Sequence, residues 1–284
     1  MSRTVDQRWL EDFRAKARWL RGGWVIAPGY VLFVAVNIMH NYARAYADDI
    51  APFAPQNTSV FDRVLLGAYP TVWLQDVLGT DSVVSVLGFY VWQTLFYIPI
   101  LLVAYVLLVY GRGLFLRLLL LHAALVLSAD LIYAIAPTKP PWMDIGVSRI
   151  IEIQLGNGTR LDHNPFAALP SLHVAVPFAY ALWFARRKDA RSPWLGPVLV
   201  IWASAIAWAV VYTGEHYLID VVTGFIWAAA VYLVLERLGL SARGSRRAQL
   251  PSGVPLDAVS PHLHGRPPQP APSVEPLGST NQAA

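Results

Sequence analysis

A-L-P-S-L-H-V-A-V-P, residues 167–176, puts Pro170, Ser171 and His173 at the head of an apolar run. A proline, a hydroxyl and an imidazole are poor material for the interior of a membrane helix. They suit the mouth of a helix that must hold an anion. Which role they play depends on the rest of the chain. Of its 284 residues, 56% are hydrophobic and 14% charged, and the mean hydropathy is +0.44. A soluble domain carries about 25% charged residues, so this chain lacks the polar surface to be one. Its apolar runs are therefore measured against the roughly 20 residues with which a helix crosses a bilayer. There are no cysteines, which excludes a disulfide framework and a thiolate metal site.

Six stretches reach or approach that length, at 24–40, 84–110, 114–135, 172–186, 195–213 and 217–236. They predict an all-α fold, a polytopic membrane domain of six transmembrane helices over residues 23–238. The fourth stretch is short and contains Pro177, which a membrane helix tolerates when neighbours satisfy the freed carbonyl. Trp24, Trp92, Trp142, Trp194 and Trp227 recur near the expected ends, as aromatic belts do. With the N-terminus in the cytoplasm, the inner segments hold Arg3 to Arg21, Arg112, Arg117, Arg186, Arg187, Lys188, Arg191 and the arginines after Arg237. The outer segments keep Arg44, Arg63, Lys139, Arg149 and Arg160. This positive-inside bias predicts a multi-pass protein of the cell membrane with both termini cytoplasmic.

The flanks read differently. No cleavable signal peptide is apparent, since the first apolar run follows a charged segment. Residues 1–22 form a cytoplasmic amphipathic segment in which Trp9, Leu10, Phe13, Ala17 and Leu20 share one helical face. That face suits the inner leaflet, and a solvated helix is the alternative. Residues 239–284, rich in Pro, Ser, Gly and Gln, read as a disordered cytoplasmic tail. In the first outer loop, VFDRVLLGAYPTVWLQDVLG at 60–79 has helical apolar spacing in two pieces broken at Gly67 and Pro70. Two interfacial helices are expected there.

The polar residues within the spans carry the chemistry. GEHYLIDVVTG, 214–224, opens the sixth span, and His216 and Asp220 stand one helical turn apart on a shared face. The carboxylate can accept the proton of one imidazole nitrogen and make the other more nucleophilic. A structural His–Asp hydrogen bond is the plainer alternative. His173 starts the fourth span, which runs inward, and the fifth returns His216 to the same outer face. Ser171 is positioned to cap the fourth span, whose first free N–H groups then favour an anion. Two histidines, a carboxylate and an anion-binding helix end are a set suited to phosphoryl transfer.

PSLH at 170–173 and H-x-x-x-D at 216–220 resemble the second and third motifs of the type 2 phosphatidic acid phosphatase superfamily, membrane lipid phosphatases and phosphotransferases. Leu172 replaces the usual Gly. PSLH with HYLID is closest to the inositol phosphorylceramide synthase branch, the inositol phosphoryltransferases, and PTKPPWM at 137–143 sits where that branch has a proline-rich first motif. The resemblance implies that His216 attacks phosphorus to form a phosphohistidine, that Asp220 orients it, that His173 protonates the leaving oxygen and that Ser171 holds a phosphate oxygen. It implies phospholipid or polyprenyl-phosphate substrates, phosphatidylinositol among them, and no metal, cofactor or nucleic-acid partner. Two departures stand out. No Arg-Pro follows Lys139 at the expected distance, and Ala209 and Val210 stand where the third motif has Ser-Arg. Lys139 and Arg149, then Arg160, are the local candidates for the phosphate's counter-charge.

Asp130, near the outer end of the third span, is expected to support a histidine or Lys139 from behind. His122 reads as a packed, satisfied histidine, Glu215 as facing water, and Asp162 and His163 as entrance or loop residues. Two other classes stay open: an intramembrane serine hydrolase using Ser171, His216 and Asp220, and a proton-coupled transporter. Against the first there is no G-x-S-x-G elbow and no task for His173; against the second, the polar residues cluster at one face. The charge bias makes sidedness testable. In intact cells, a cysteine placed at Thr159 should react with an impermeant reagent, while a tag after residue 284 should be reachable only after permeabilisation. The reverse pattern would invert the topology.

Overall fold

The computed structural model describes residues 26–46, 49–156, 165–187 and 192–241. The amphipathic segment 1–22, the tail from 242 onward, and Arg160, Asp162 and His163 lie outside these residues. The described chain forms α1 (Ile26–Tyr46), α2 (Ser59–Leu66), α3 (Pro70–Leu78), α4 (Val83–Tyr110) and α5 (Arg112–Ile135). After these come α6 (Pro141–Asp144), α7 (Ile150–Leu155), α8 (Leu172–Ala185), α9 (Leu195–Tyr212) and α10 (Leu218–Arg237). Among the described residues every regular element is a helix.

Among the described residues four helices, α4, α5, α9 and α10, are long and apolar enough to cross a membrane. The other two expected spans fall short for different reasons. α1 has 21 residues and runs on to Tyr46, past the expected end at 40, so that Asn41 and Arg44 join Asn37 and His40 on it. Those polar residues dilute its hydropathy. α8 has only 14 residues, about 21 Å at a rise of 1.5 Å per residue, against a hydrocarbon core about 30 Å thick. It lies instead inside the bundle. Val174, Ala175, Ala179, Tyr180, Ala181 and Trp183 are fully buried against α9, α10 and α5. Small side chains permit this close approach. A Cβ on Gly196 of α9 would come within 2.9 Å of the Ala185 Cα on α8.

Two short helices form on either side of the break at Gly67 and Pro70. Gly67 ends α2 with φ of 71°, and Pro70 occupies the first turn of α3. Their polar residues tie down the loops around the ends of α8, α9 and α10. Buried Gln75 of α3 donates to the carbonyls of Ser148 and Tyr212 at 2.9 and 3.0 Å and accepts from the Ser148 N–H. Gln56, Thr138 and Ala167 join three loops through isolated parallel bridges, and the Leu169 N–H donates to Thr138 Oγ1. The segment before PSLH is thus laced to the proline-rich stretch.

Asp62 of α2 is buried and reaches across to α10. Its Oδ2 accepts from the Leu218 N–H at 2.9 Å and its Oδ1 from the Ile219 N–H at 3.0 Å. These are orphan donors at the start of α10, so Asp62 caps that helix from a distant part of the chain. Burial pushes its carboxyl above the usual range, and the two N–H donors work against that rise. Asp62→Ala should lower stability by about 1–2 kcal/mol. Thermal unfolding in detergent should show the drop, and an unchanged melting temperature would remove Asp62 from this role.

Candidate active site

The start of α8 and the start of α10 meet through the backbone. The Ser171 N–H donates to the Asp220 carbonyl at 3.0 Å, and Ser171 occupies the N-cap position of α8. Contact this close requires glycine opposite: a Cβ on Gly224 would lie 2.6 Å from the Ser171 carbonyl oxygen. Gly224 stands one turn beyond Asp220, so the same face of α10 carries the carboxylate and the contact. The α9–α10 turn is equally constrained. Glu215 and His216 both donate their N–H groups to the Val210 carbonyl. Gly214 has φ of +84°, and a Cβ there would meet the Ser148 carbonyl at 2.8 Å.

These constraints bring His173, His216 and Asp220 into one row. His173 Nδ1 and His216 Nε2 are 2.9 Å apart, a hydrogen bond whose direction depends on the tautomers. On the far side of the ring, His216 Nδ1 stands 3.6 Å from Asp220 Oδ2, within ion-pair range but longer than a hydrogen bond. Asp220 is fully buried. It accepts from the Tyr217 N–H at 2.9 Å and from Thr58 Oγ1 at 3.4 Å. Tyr217 in turn donates its hydroxyl to Asp144 at 2.9 Å. A buried carboxylate supported this way stays oriented toward the imidazole.

Ser171 reaches the N-cap position without capping by its side chain. Its Oγ is fully buried and makes no hydrogen bond among the described residues. His173 is half-buried, lies against the Trp92 ring at 6.2 Å between centroids, and opens onto a cavity of about 490 Å³. Leu172, Tyr133 and Glu215 line it too. From α1, so do Asn37, His40, Asn41 and Arg44.

The basic candidates separate. Arg149 forms a two-pronged pair with Glu215 at 2.7 and 3.0 Å and lies 4.6 Å over the Trp142 ring. Glu215 is therefore buried and paired, where sequence reading had it facing water. Lys139 is half-buried and does not line the cavity. Asp130 supports neither His173 nor His216 nor Lys139: it pairs with His40 of α1 at 2.7 Å. His122 is buried, with Tyr180 Oη at 3.1 Å on one ring nitrogen. His40, Arg44 and Asp62 are the site residues that sequence reading missed. An expected span ending at 40 leaves Arg44 outside the helix, and the signal that joins it to His40 is the spacing of Asn37, His40, Asn41 and Arg44, which is that of one helical face.

A family model described as the PAP2 superfamily matches residues 59–234. The chain belongs to the PAP2 superfamily. No curated protein and no solved structure matches it. Membership brings chemistry of the phosphatase or phosphotransferase type, and the matched segment of this PAP2 protein contains His173, His216 and Asp220 but not α1. The close approach at Gly224 makes the histidine pair sensitive to a single methyl group. Gly224→Ala should lower stability by about 1–3 kcal/mol and reduce turnover more than tenfold by parting α8 from α10. Gly113→Ala, where a Cβ meets nothing, is the control. Melting and turnover measured on both variants check this, and wild-type turnover in Gly224→Ala would show that the contact does not set the site.

Proposed function

We propose that this protein is a membrane lipid phosphatase or phosphotransferase that works through a phosphohistidine on His216. The observation that carries the reading is the row Asp220–His216–His173, with 2.9 Å between the two imidazoles. In the first step His216 Nε2 attacks phosphorus, the N–P bond forms and the P–O bond to the leaving alcohol breaks. His173, entering as the imidazolium, gives its proton to that oxygen. The His216 Nδ1–H faces Asp220, which stabilises the positive charge the ring acquires. In the second step the now neutral His173 takes a proton from water or an alcohol. That oxygen attacks phosphorus, and the N–P bond breaks to free His216. One imidazole must start neutral and the other protonated, so their surroundings must differ. They do: Asp220 holds the His216 tautomer that carries its proton on Nδ1 and leaves the Nε2 lone pair for attack, while His173 borders the cavity, where the negative charge of an entering phosphate favours its imidazolium. The resting hydrogen bond occupies the nucleophile's lone pair, so an entering phosphate must part the two rings.

The serine-triad alternative is disfavoured by the same contacts. Ser171 Oγ makes no hydrogen bond to His216, whose Nε2 is engaged by His173. A triad needs that Ser–His bond. Within the phosphoryl reading, PSLH and HYLID favour an inositol-phosphoryl transferase, with a phospholipid or polyprenyl phosphate as donor. The architecture we propose around this chemistry has α1 and α8 completing six spans, both termini cytoplasmic, and the site opening outward. α2 and α3 lie at the interface, a placement supported by the exposed Val60, Phe61, Val64, Leu65 and Trp73.

The two histidines should separate by leaving group. General acid help is worth about 10²–10⁴-fold, and nitrophenolate needs little of it. His173→Ala should therefore slow a lipid phosphoester severely and largely spare nitrophenyl phosphate, while His216→Ala should lose both. Turnover in detergent with each variant's folding checked decides the matter. If His216→Ala keeps the aryl phosphate and His173→Ala loses it, the roles are exchanged. Covalent labelling of Ser171 by a fluorophosphonate would restore the triad.

A further inference from the structure

A phosphate held between His173 and His216 needs a counter-charge, because an anion in a low-dielectric site is costly without one. Neither Arg149 nor Lys139 lines the cavity. Among the described residues lining the cavity, Arg44 is the one lysine or arginine. It lies in the last turn of α1, and Asn37, His40 and Asn41 line the same cavity from the same helix. Spacings of three and four residues place them along one stripe. His40 is held by Asp130 through Nδ1, and its Nε2 makes no hydrogen bond among the described residues. Glu215, which pairs with Arg149, and His122 and Tyr133 also border the cavity, and most of the remaining wall is apolar, with Phe33, Ile38, Leu95, Phe96, Ile100 and Val126. One compartment thus joins an anion-compatible end at His173 to a hydrocarbon-compatible remainder. Its volume of about 490 Å³ is in the range of small-molecule sites.

We propose that the polar stripe of α1, with Arg44 as its cation, seats the phosphate group of a lipid phosphoester whose chain occupies the apolar part of the cavity. This rests on reading His173 and His216 as a phosphoryl-transfer pair. It adds the residue that carries the charge, on a helix outside the segment matched to the family. Guanidinium suits the task because its planar fork donates two parallel hydrogen bonds to phosphate oxygens. The apolar lining explains why the anion would arrive attached to a lipid.

The test is equilibrium binding to the full-length protein in neutral detergent, with fluorescent phosphatidic acid and fluorescent diacylglycerol as paired probes. Wild type should bind phosphatidic acid more tightly than diacylglycerol. Arg44→Gln should weaken phosphatidic acid about tenfold to a hundredfold, the scale of a charged hydrogen bond, and leave diacylglycerol unchanged. Arg44→Lys should recover part of the loss, which a merely misfolded variant would not. His216→Gln should retain binding while losing turnover. Equal weakening of both probes in Arg44→Gln, or none, overturns the inference. So does inorganic phosphate competing as well as the lipid, which would make the seat one for free phosphate. The two readings fail separately: Arg44-dependent binding without wild-type turnover of any phosphoester sinks the phosphoryl chemistry, whereas turnover with Arg44→Gln binding like wild type sinks the seat alone.

Discussion

The Ser171 N–H to Asp220 carbonyl hydrogen bond, 3.0 Å long, is the contact on which the site depends. It joins the start of α8 to the start of α10, and each of those helix ends carries one of the two histidines or its immediate neighbourhood. Gly224 makes it possible by leaving the Ser171 carbonyl room against α10. Were the helix ends separated by the width of a methyl group, the 2.9 Å contact between the imidazoles would not survive. Hydrogen-bond strength falls steeply with distance, so the spacing of two backbones decides whether the pair exists.

Around that contact the chain adds polar groups from remote segments to the local cap that Asp220 makes on the Tyr217 N–H. Asp62 of α2 also caps α10, Thr58 reaches Asp220 from just before α2, and Asp144 holds Tyr217. Gln75 serves both the α7 and α9 loops. Each satisfies a donor or acceptor that burial would otherwise leave costly. The segment with α2 and α3 is therefore part of the site's support, and it lies within the segment matched to the family.

The bundle also divides its labour between helices. α4, α5, α9 and α10 have the length and hydropathy to face lipid. α8 gives up length and lies within them, its alanines allowing close packing. α1 gives up hydropathy instead: its polar stripe borders the cavity, while Val31, Leu32, Ile38 and Met39 remain exposed on it. Polar side chains on an otherwise apolar helix are tolerated where they face the protein interior or a polar cavity, as those of α1 do.

The sequence by itself determined the helical class, the helix positions and the identity of the histidine and aspartate motifs. These are local properties: apolar run length, the punctuation of Gly67 and Pro70, and a one-turn spacing between His216 and Asp220. It also led to the expectation that His173 and His216 reach one end of the bundle, because two successive antiparallel helices return the chain to where it started, and the two rings do meet, at 2.9 Å. What it did not determine were the partners of long side chains. Asp130 meets His40 rather than an active-site histidine, and Arg149 closes on Glu215, since a guanidinium or carboxylate binds whichever group the packing delivers. The Ser171 side chain likewise stayed without a hydrogen bond although its backbone took the N-cap position. Those outcomes depend on where α1, α5 and the outer loops lie against one another. That arrangement is set by contacts between residues far apart in the chain, and only the tertiary structure decides it.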